Sequence, residues 1–201
     1  MLEILKTLYY SASNKYVRGN KEYFMISLLQ TMCGMRISEC IATRIADVNL
    51  IERFLITARV KGALKNNKTG RKPLYFCFPE EVAYLLNEYI RDLQKRCPNV
   101  QWLFPGIDPS RHIHVRSVQD TLANLGIDLL VKTHSFRKTM EYLQAEINEV
   151  PLHFVEMLSN HQITSIVMRH YAEAPFEERR AKYDKYLPPQ FQIILSWLKT
   201  L

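Results

Sequence analysis

Two arginines, a tyrosine, two histidines and a lysine stand in local contexts that suit one reaction, phosphodiester transfer without a metal ion. Arg36 lies in Met35-Arg36-Ile37-Ser38-Glu39, and His134 and Arg137 lie in Thr133-His134-Ser135-Phe136-Arg137-Lys138-Thr139. His161 closes Leu158-Ser159-Asn160-His161, and Tyr171 follows it by ten residues in Arg169-His170-Tyr171-Ala172. Such a transfer gathers negative charge on the non-bridging oxygens of a phosphorane-like transition state. Planar guanidinium groups donate to those oxygens in pairs and stay charged at any working pH, so Arg36 and Arg137 suit a clamp. A nucleophile must attack phosphorus, and a proton must reach the leaving oxygen, whose alkoxide departs poorly. Tyr171 and Lys68 suit those two parts, while His134 and His161 can donate hydrogen bonds or move protons near neutral pH.

Each residue also has an ordinary reading. Tyr171 is one of eleven tyrosines, and a helical tyrosine is most often a packing residue. Arg36 and Arg137 could simply be surface ion-pair partners, Arg36 with Glu39 on one helical face, His134 could cap a helix, and His161 could be a satisfied loop histidine. His112 and His114 would point the same way from an extended segment, but two imidazoles with no carboxylate or thiolate nearby do not make a metal site.

The elements that must position these groups are mostly helical. Residues 2 to 12 and 21 to 33 read as apolar helices, the second with Phe24, Leu28 and Met32 along one face. Ser38 is placed to cap a short helix running to about Arg44. Arg53 to Val60 and Pro73 to Phe78 carry β-branched and aromatic residues on either side of a polar loop, which predicts a β-hairpin with a long tip. Pro79 opens an amphipathic helix with Val82, Leu85, Leu86, Tyr89, Ile90 and Leu93 on its buried stripe, ending near Cys97-Pro98. After a loop over 98 to 114, helices are expected near 115–125, 135–147, 151–159, 164–173 and 176–186. Pro188-Pro189 should then break the chain before a last helix with a narrow stripe of Phe191, Ile194, Leu195 and Leu198.

The fold class is therefore mainly α (α+β): one domain over residues 1–201, including the C-terminal helix 189–201, with a small antiparallel sheet. The chain has 201 residues, 47% of them hydrophobic, and six glycines, as expected of a packed protein. Its formal net charge of +7 and a pI near 9.2 favour a polyanionic partner, most commonly nucleic acid. Cys33, Cys40, Cys77 and Cys97 lack metal-site or disulfide-framework spacing and read as reduced thiols. The N-terminus lacks a signal-peptide pattern, and no apolar run approaches the ~18 residues of a membrane span. The expected location is cytoplasmic, or nuclear in a eukaryote.

The hairpin tip is the most electropositive stretch. Arg59, Lys61, Lys65, Lys68, Arg71 and Lys72 occur with no acidic residue among them. They could follow a phosphate backbone, releasing its condensed counterions, or simply solvate the tip.

Taken in order, these contexts resemble the catalytic signature of the tyrosine recombinases, or phage-type integrases, over nearly the whole chain. Asn67-Lys68-Thr69-Gly70 is similar to the family's hairpin lysine motif, which points to Lys68 rather than Lys61 or Lys65. The resemblance implies the helical catalytic domain of the DNA breaking-rejoining fold. It implies that Tyr171 attacks to leave a 3′-phosphotyrosyl link and a free 5′ hydroxyl, with Arg36, Arg137 and His161 holding the phosphate. Lys68 would be the general acid, His134 would assist proton transfer at Tyr171, and Glu39 would orient Arg36. The covalent link conserves the bond energy, so no cofactor, ATP or metal is expected.

The implied function is site-specific recombination or integration of double-stranded DNA, with possible accessory proteins. Family resemblance also implies a synaptic tetramer formed through the C-terminal helix, against the alternative that this helix docks on its own domain. Two other readings stay open: a type IB topoisomerase that rejoins the same strand, and a non-catalytic DNA-binding remnant. Three positions depart from the family pattern: Cys33 for threonine, Asn160 for glycine, and Lys138 for histidine. Asparagine tolerates left-handed backbone, so the turn at Asn160 can survive. The N-terminal core-binding domain is expected to be absent, which would leave DNA binding weak and of low sequence preference.

Overall fold

A computed structural model of the chain describes residues 1–12, 20–57, 74–125, 133–142, 145, 150–159 and 175–201. Helix α2 (Asn20–Cys33) lies at its centre. Helices α1 (Leu2–Ala12), α3 (Ile37–Ile41), α4 (Glu80–Arg96) and α6 (Thr133–Tyr142) all pack against it. The sequence points to one apolar face on α2, but every residue from Phe24 to Cys33 is buried. Two of its polar side chains bond locally. Thr31 donates its hydroxyl to the Ser27 carbonyl at 2.8 Å, and Gln30 Nε2 donates to the Met35 carbonyl at 3.4 Å. A helix with neighbours on all sides has no solvent face, so a stripe argument undercounts it.

Two boundaries differ from expectation at α3. Arg36, not Ser38, occupies the N-cap position, and the helix stops at Ile41 rather than near Arg44. The first turn is closed by Glu39, whose carboxylate accepts the Arg36 backbone N–H at 2.8 Å, leaving no role for a serine hydroxyl there. Beyond Ile41 the chain is drawn into pairing with the 101–103 segment. Ile45 N–H donates to the Gln101 carbonyl at 2.9 Å, and Leu103 N–H donates to that of Thr43 at 3.0 Å.

The hairpin forms as predicted at its base, with β2 (Phe54–Thr57) antiparallel to β3 (Leu74–Cys77) in the register Phe54↔Cys77 to Thr57↔Leu74. A short strand that the sequence did not announce, β1 (Val48–Asn49), pairs on the other side of β2 to make three strands in the order β1-β2-β3. Leu55 and Phe76, opposite one another, enter the core. On the other face Phe54 and Tyr75 meet Phe176, with ring centroids 4.5 and 5.7 Å from it. The tip between the strands, with its six basic residues, lies outside the described residues.

Helix α4 follows its predicted stripe, with Leu85 only half-buried at the margin. Helices α5 (Val115–Asn124) and α7 (Leu152–Leu158) lie where expected, and the predicted helix over 164–173 falls outside the described residues. Helix α8 (Phe176–Gln190) corrects one expectation, because it runs straight through Pro188-Pro189. Proline in a helix deprives the carbonyls four residues back of donors. Here those carbonyls belong to Asp184 and Lys185, both exposed, and the prolines stand in the last turn. The turn away comes at Phe191, before α9 (Gln192–Leu198).

The stripe of Phe191, Ile194, Leu195 and Leu198 is buried in the chain's own core, with α9 against α4 and α8. Among the described residues no helix is long and apolar enough to cross a membrane. Truncating Leu195 to alanine should cost about 2–5 kcal/mol of stability in the unassembled protein, measured by denaturant unfolding. An unchanged midpoint would mean that α9 leaves its own domain in solution.

Candidate active site

The geometry of the site begins where α2 ends. Gly34 adopts a left-handed φ of 70°, and its N–H still donates to the Gln30 carbonyl at 3.1 Å, so the helix closes and the chain turns sharply. A Cβ at Gly34 would in addition stand 1.9 Å from the Met140 methyl of α6, so a side chain there would force the end of that methionine to move. This turn delivers Arg36 to the start of α3 and brings α6 up close beside it.

Arg36 is a third exposed, and its NH1 donates to Glu39 Oε1 at 2.9 Å. The Glu39 carboxylate is buried and holds the backbone N–H of Arg36 with its other oxygen, so it fixes that arginine at both ends. The structure thus brings Glu39 and Arg36 together on one helical turn.

Arg137, on α6, is fully buried. Its NH1 donates to the Gly34 carbonyl, a short contact that ties α6 to the end of α2. Its Nε lies 2.8 Å from Glu141 Oε1, with the N–H off the line to the oxygen, so the contact acts as an ion pair. NH2 is buried with no hydrogen-bond partner among the described residues. Burial pulls the Arg137 guanidinium below its usual range, and the Glu141 carboxylate opposes that shift. A buried donor left without an acceptor costs about 1–3 kcal/mol, which is what an incoming anionic oxygen would relieve.

Glu141 is a site residue that the sequence reading missed. The available signal was its spacing, four residues after Arg137 on one helix, where an acidic and a basic side chain meet.

His134 stands in the first turn of α6, which begins at Thr133 and so includes it rather than following it as a cap. Partial burial, and then the positive charges of Arg137, Lys138 and Arg36, pull its imidazole below the usual value, against Glu141. The field of both arginines therefore reaches it, and the ring stays neutral at neutral pH, able to accept a proton.

His161, Tyr171, Lys68 and the basic tip residues Arg59, Lys61, Lys65, Arg71 and Lys72 lie outside the described residues. His114 is the N-cap of α5, its Nδ1 accepting the Arg116 N–H at 3.1 Å, and His112 stacks edge-on to Trp102. Among the described residues no cluster of histidine, cysteine and carboxylate could hold a metal ion. The four cysteines are free. Burial pushes the Cys77 thiol up to about 11 and raises those of Cys33 and Cys40 as well, which disfavours the thiolate in all three.

The phage integrase family matches this sequence over residues 3–178, a span that holds both arginines and the Gly34 turn. The chain belongs to the phage integrase family. Among curated proteins none matches it. Among solved structures, this integrase-family chain is similar to the XerA recombinase, with a TM-score of 0.58 at 20% identity over 91% of this chain and 62% of that one. The integrase from mycobacterium phage Brujita gives 0.61 at 20% identity, covering 94% of this chain and 57% of that one. The XerH site-specific recombinase bound to its difH substrate gives 0.59 at 18% identity, covering 88% and 49%. At such identities the likeness is one of fold, and the chain spans about half to three fifths of the length of these proteins.

The environment of His134 makes a direct prediction. Its imidazole should titrate below the free value of about 6.5, followed by two-dimensional NMR of the ring. Because the folded value is depressed, the unfolded chain binds more protons between the two midpoints, and stability should fall as pH drops through that window. A midpoint at or above the free value would remove the two arginines from its surroundings.

Proposed function

We propose that this chain is the catalytic domain of a tyrosine recombinase, cutting and rejoining double-stranded DNA through a covalent 3′-phosphotyrosyl intermediate. The observation that carries this reading is the pairing of Arg36 and Arg137 across the Gly34 turn. Each is held by a carboxylate, and one presents a buried N–H with no hydrogen-bond partner among the described residues. Two guanidiniums so arranged donate to the non-bridging oxygens of a phosphodiester, and their charge offsets the charge that builds up in the transition state.

In this mechanism the Tyr171 oxygen forms the new bond to phosphorus, and the bond to the 5′ oxygen breaks. The phenolic proton passes to neutral His134. Lys68 delivers a proton to the departing 5′ oxygen, and His161 adds a hydrogen bond to the phosphate. Religation reverses each transfer, with a 5′ hydroxyl attacking the phosphotyrosine, so the energy of the broken bond is conserved and neither a metal nor ATP enters. Arg59, Lys61, Lys65, Arg71 and Lys72 follow the DNA backbone from the hairpin tip. Assembly on DNA as a tetramer exchanging the C-terminal helix would require α9 to leave the groove it fills in its own core.

The test is a nicked duplex carrying candidate sites, which traps the intermediate because the short 5′ strand diffuses away. The protein should form a denaturation-resistant adduct with DNA, and Tyr171→Phe should form none. A Tyr171→Phe protein that still forms the adduct would contradict the assignment of the nucleophile. DNA binding by the unsubstituted protein without any adduct would contradict the enzymatic reading.

A further inference from the structure

The base of the hairpin is gripped by a side chain that the mechanism above does not use. Arg180, on α8, donates NH1 to two main-chain carbonyls, those of Arg53 at 3.0 Å and Phe78 at 2.9 Å. These residues immediately precede β2 and follow β3, and the Phe78 N–H closes the same junction by donating to the Arg53 carbonyl at 3.0 Å. The guanidinium is itself held by Asp184, one turn along α8, with Nε 2.8 Å from Oδ2 and NH2 on Oδ1. Its side chain is only 13% exposed. A bidentate carboxylate on one edge and two carbonyls on another leave a planar fork little freedom to shift.

The backbone it grips is unusual. Arg53 has a φ of 57°, in the left-handed region that side chains other than glycine rarely adopt. A second contact lies one turn earlier on α8, where Phe176 packs on Phe54 of β2 and Tyr75 of β3. Helix α8 is thus fastened to both strands at two successive turns, by an aromatic cluster and by an ion-paired guanidinium. Along the chain, Tyr171 precedes Phe176 by five residues, a tether of roughly 17 Å at full extension. Helix α8 therefore anchors the base of the hairpin, and in the sequence Lys68 lies between the two anchored strands while Tyr171 lies shortly before the anchoring helix.

We propose that Arg180, locked by Asp184, is a positioning residue that sets the Lys68 hairpin against the Tyr171 segment, so that leaving-group protonation and attack stay aligned on one phosphate. This rests on the reading of Lys68 as general acid and Tyr171 as nucleophile. Arg180 touches no reacting atom. It acts through the hairpin base, and its loss should fall on the protonation step, because Lys68 is the group reached through the strands.

A sulfur in place of the bridging 5′ oxygen separates that role from simple support of the fold. When Tyr171 attacks such a phosphorothiolate, the phosphorus–sulfur bond breaks and the electron pair leaves on a thiolate, which needs no proton. Adduct formation would be timed on matched oxygen and sulfur duplexes for the unsubstituted protein, Arg180→Met, Asp184→Asn and Lys68→Ala. The methionine keeps the aliphatic stem of Arg180 and removes its donors, while Asp184 is 44% exposed at its side chain and its substitution leaves the fold least disturbed.

Arg180→Met should cleave the oxygen substrate at least about tenfold more slowly, as expected for impaired general-acid catalysis, and approach the unsubstituted rate on sulfur. Asp184→Asn should show the same pattern at smaller amplitude, and so carries the test if the methionine variant does not fold. Equal slowing on both substrates, or none on oxygen, overturns the proposal. Lys68→Ala is the control for the underlying reading. If sulfur rescues it but not the Arg180 and Asp184 variants, only the positioning role falls, whereas failure to rescue Lys68→Ala removes Lys68 as the acid and the proposal with it.

Discussion

The contact on which the site depends is the one between the Arg137 guanidinium and the Gly34 carbonyl. It joins α6 to the last turn of α2, the helix around which the core is built. A fully buried guanidinium is costly unless its charge and donors are answered. Glu141 answers the charge, Gly34 answers one donor, and NH2 is left over. That leftover donor is where structural cost and chemical use meet. On the function proposed above, the fold keeps that N–H in place for an oxygen anion, whose arrival would return the free energy its burial withholds from folding.

Gly34 makes that arrangement possible in three ways at once. Its left-handed φ ends α2, its missing side chain admits Met140, and its exposed carbonyl receives Arg137. Two residues later the same turn sets Arg36 at the head of α3, where Glu39 holds it by backbone and side chain together. The two arginines come from distant parts of the sequence, yet their relative position is fixed by a few residues of rigid backbone and one helix-helix packing. Such preorganisation is what electrostatic stabilisation of a transition state requires, since dipoles that must reorganise during reaction lose most of their effect.

Much of this was legible in the sequence. The stripe of α4 and the hairpin base followed from period and residue type, and the pairing of Arg36 with Glu39 from helical spacing. What was not legible depended on tertiary context. The polar residues Ser27, Gln30 and Thr31 hid the burial of α2: local hydrogen bonds answer the Thr31 hydroxyl and Gln30 Nε2, while the Ser27 hydroxyl is buried with no hydrogen-bond partner among the described residues. Pro188-Pro189 announced a break that the last turn of α8 did not need, since the carbonyls they leave without donors belong to the exposed Asp184 and Lys185. Ser38 resembled a cap, but α3 begins at Ile37, so Ser38 lies inside its first turn, where the Cys40 N–H is already bonded to the Arg36 carbonyl. Glu141 and Arg180 were ordinary charged residues on helices until the fold placed one beside a buried arginine and the other beneath a hairpin.

The central claim is that Arg36 and Arg137 act on the charge of a phosphodiester. The most direct measurement compares cleavage by Arg36→Ala on a normal duplex with cleavage on one whose scissile phosphate carries a methyl group in place of a non-bridging oxygen. Arg36 is partly exposed and its removal leaves the buried Arg137 contacts intact. On the charged phosphate the variant should lose about 100-fold or more in rate, the usual scale for losing one such donor. On the uncharged methylphosphonate there is little charge to neutralise, and most of that loss should disappear. A variant equally impaired on both substrates would contradict the account, because the arginine would then be supporting structure rather than stabilising charge.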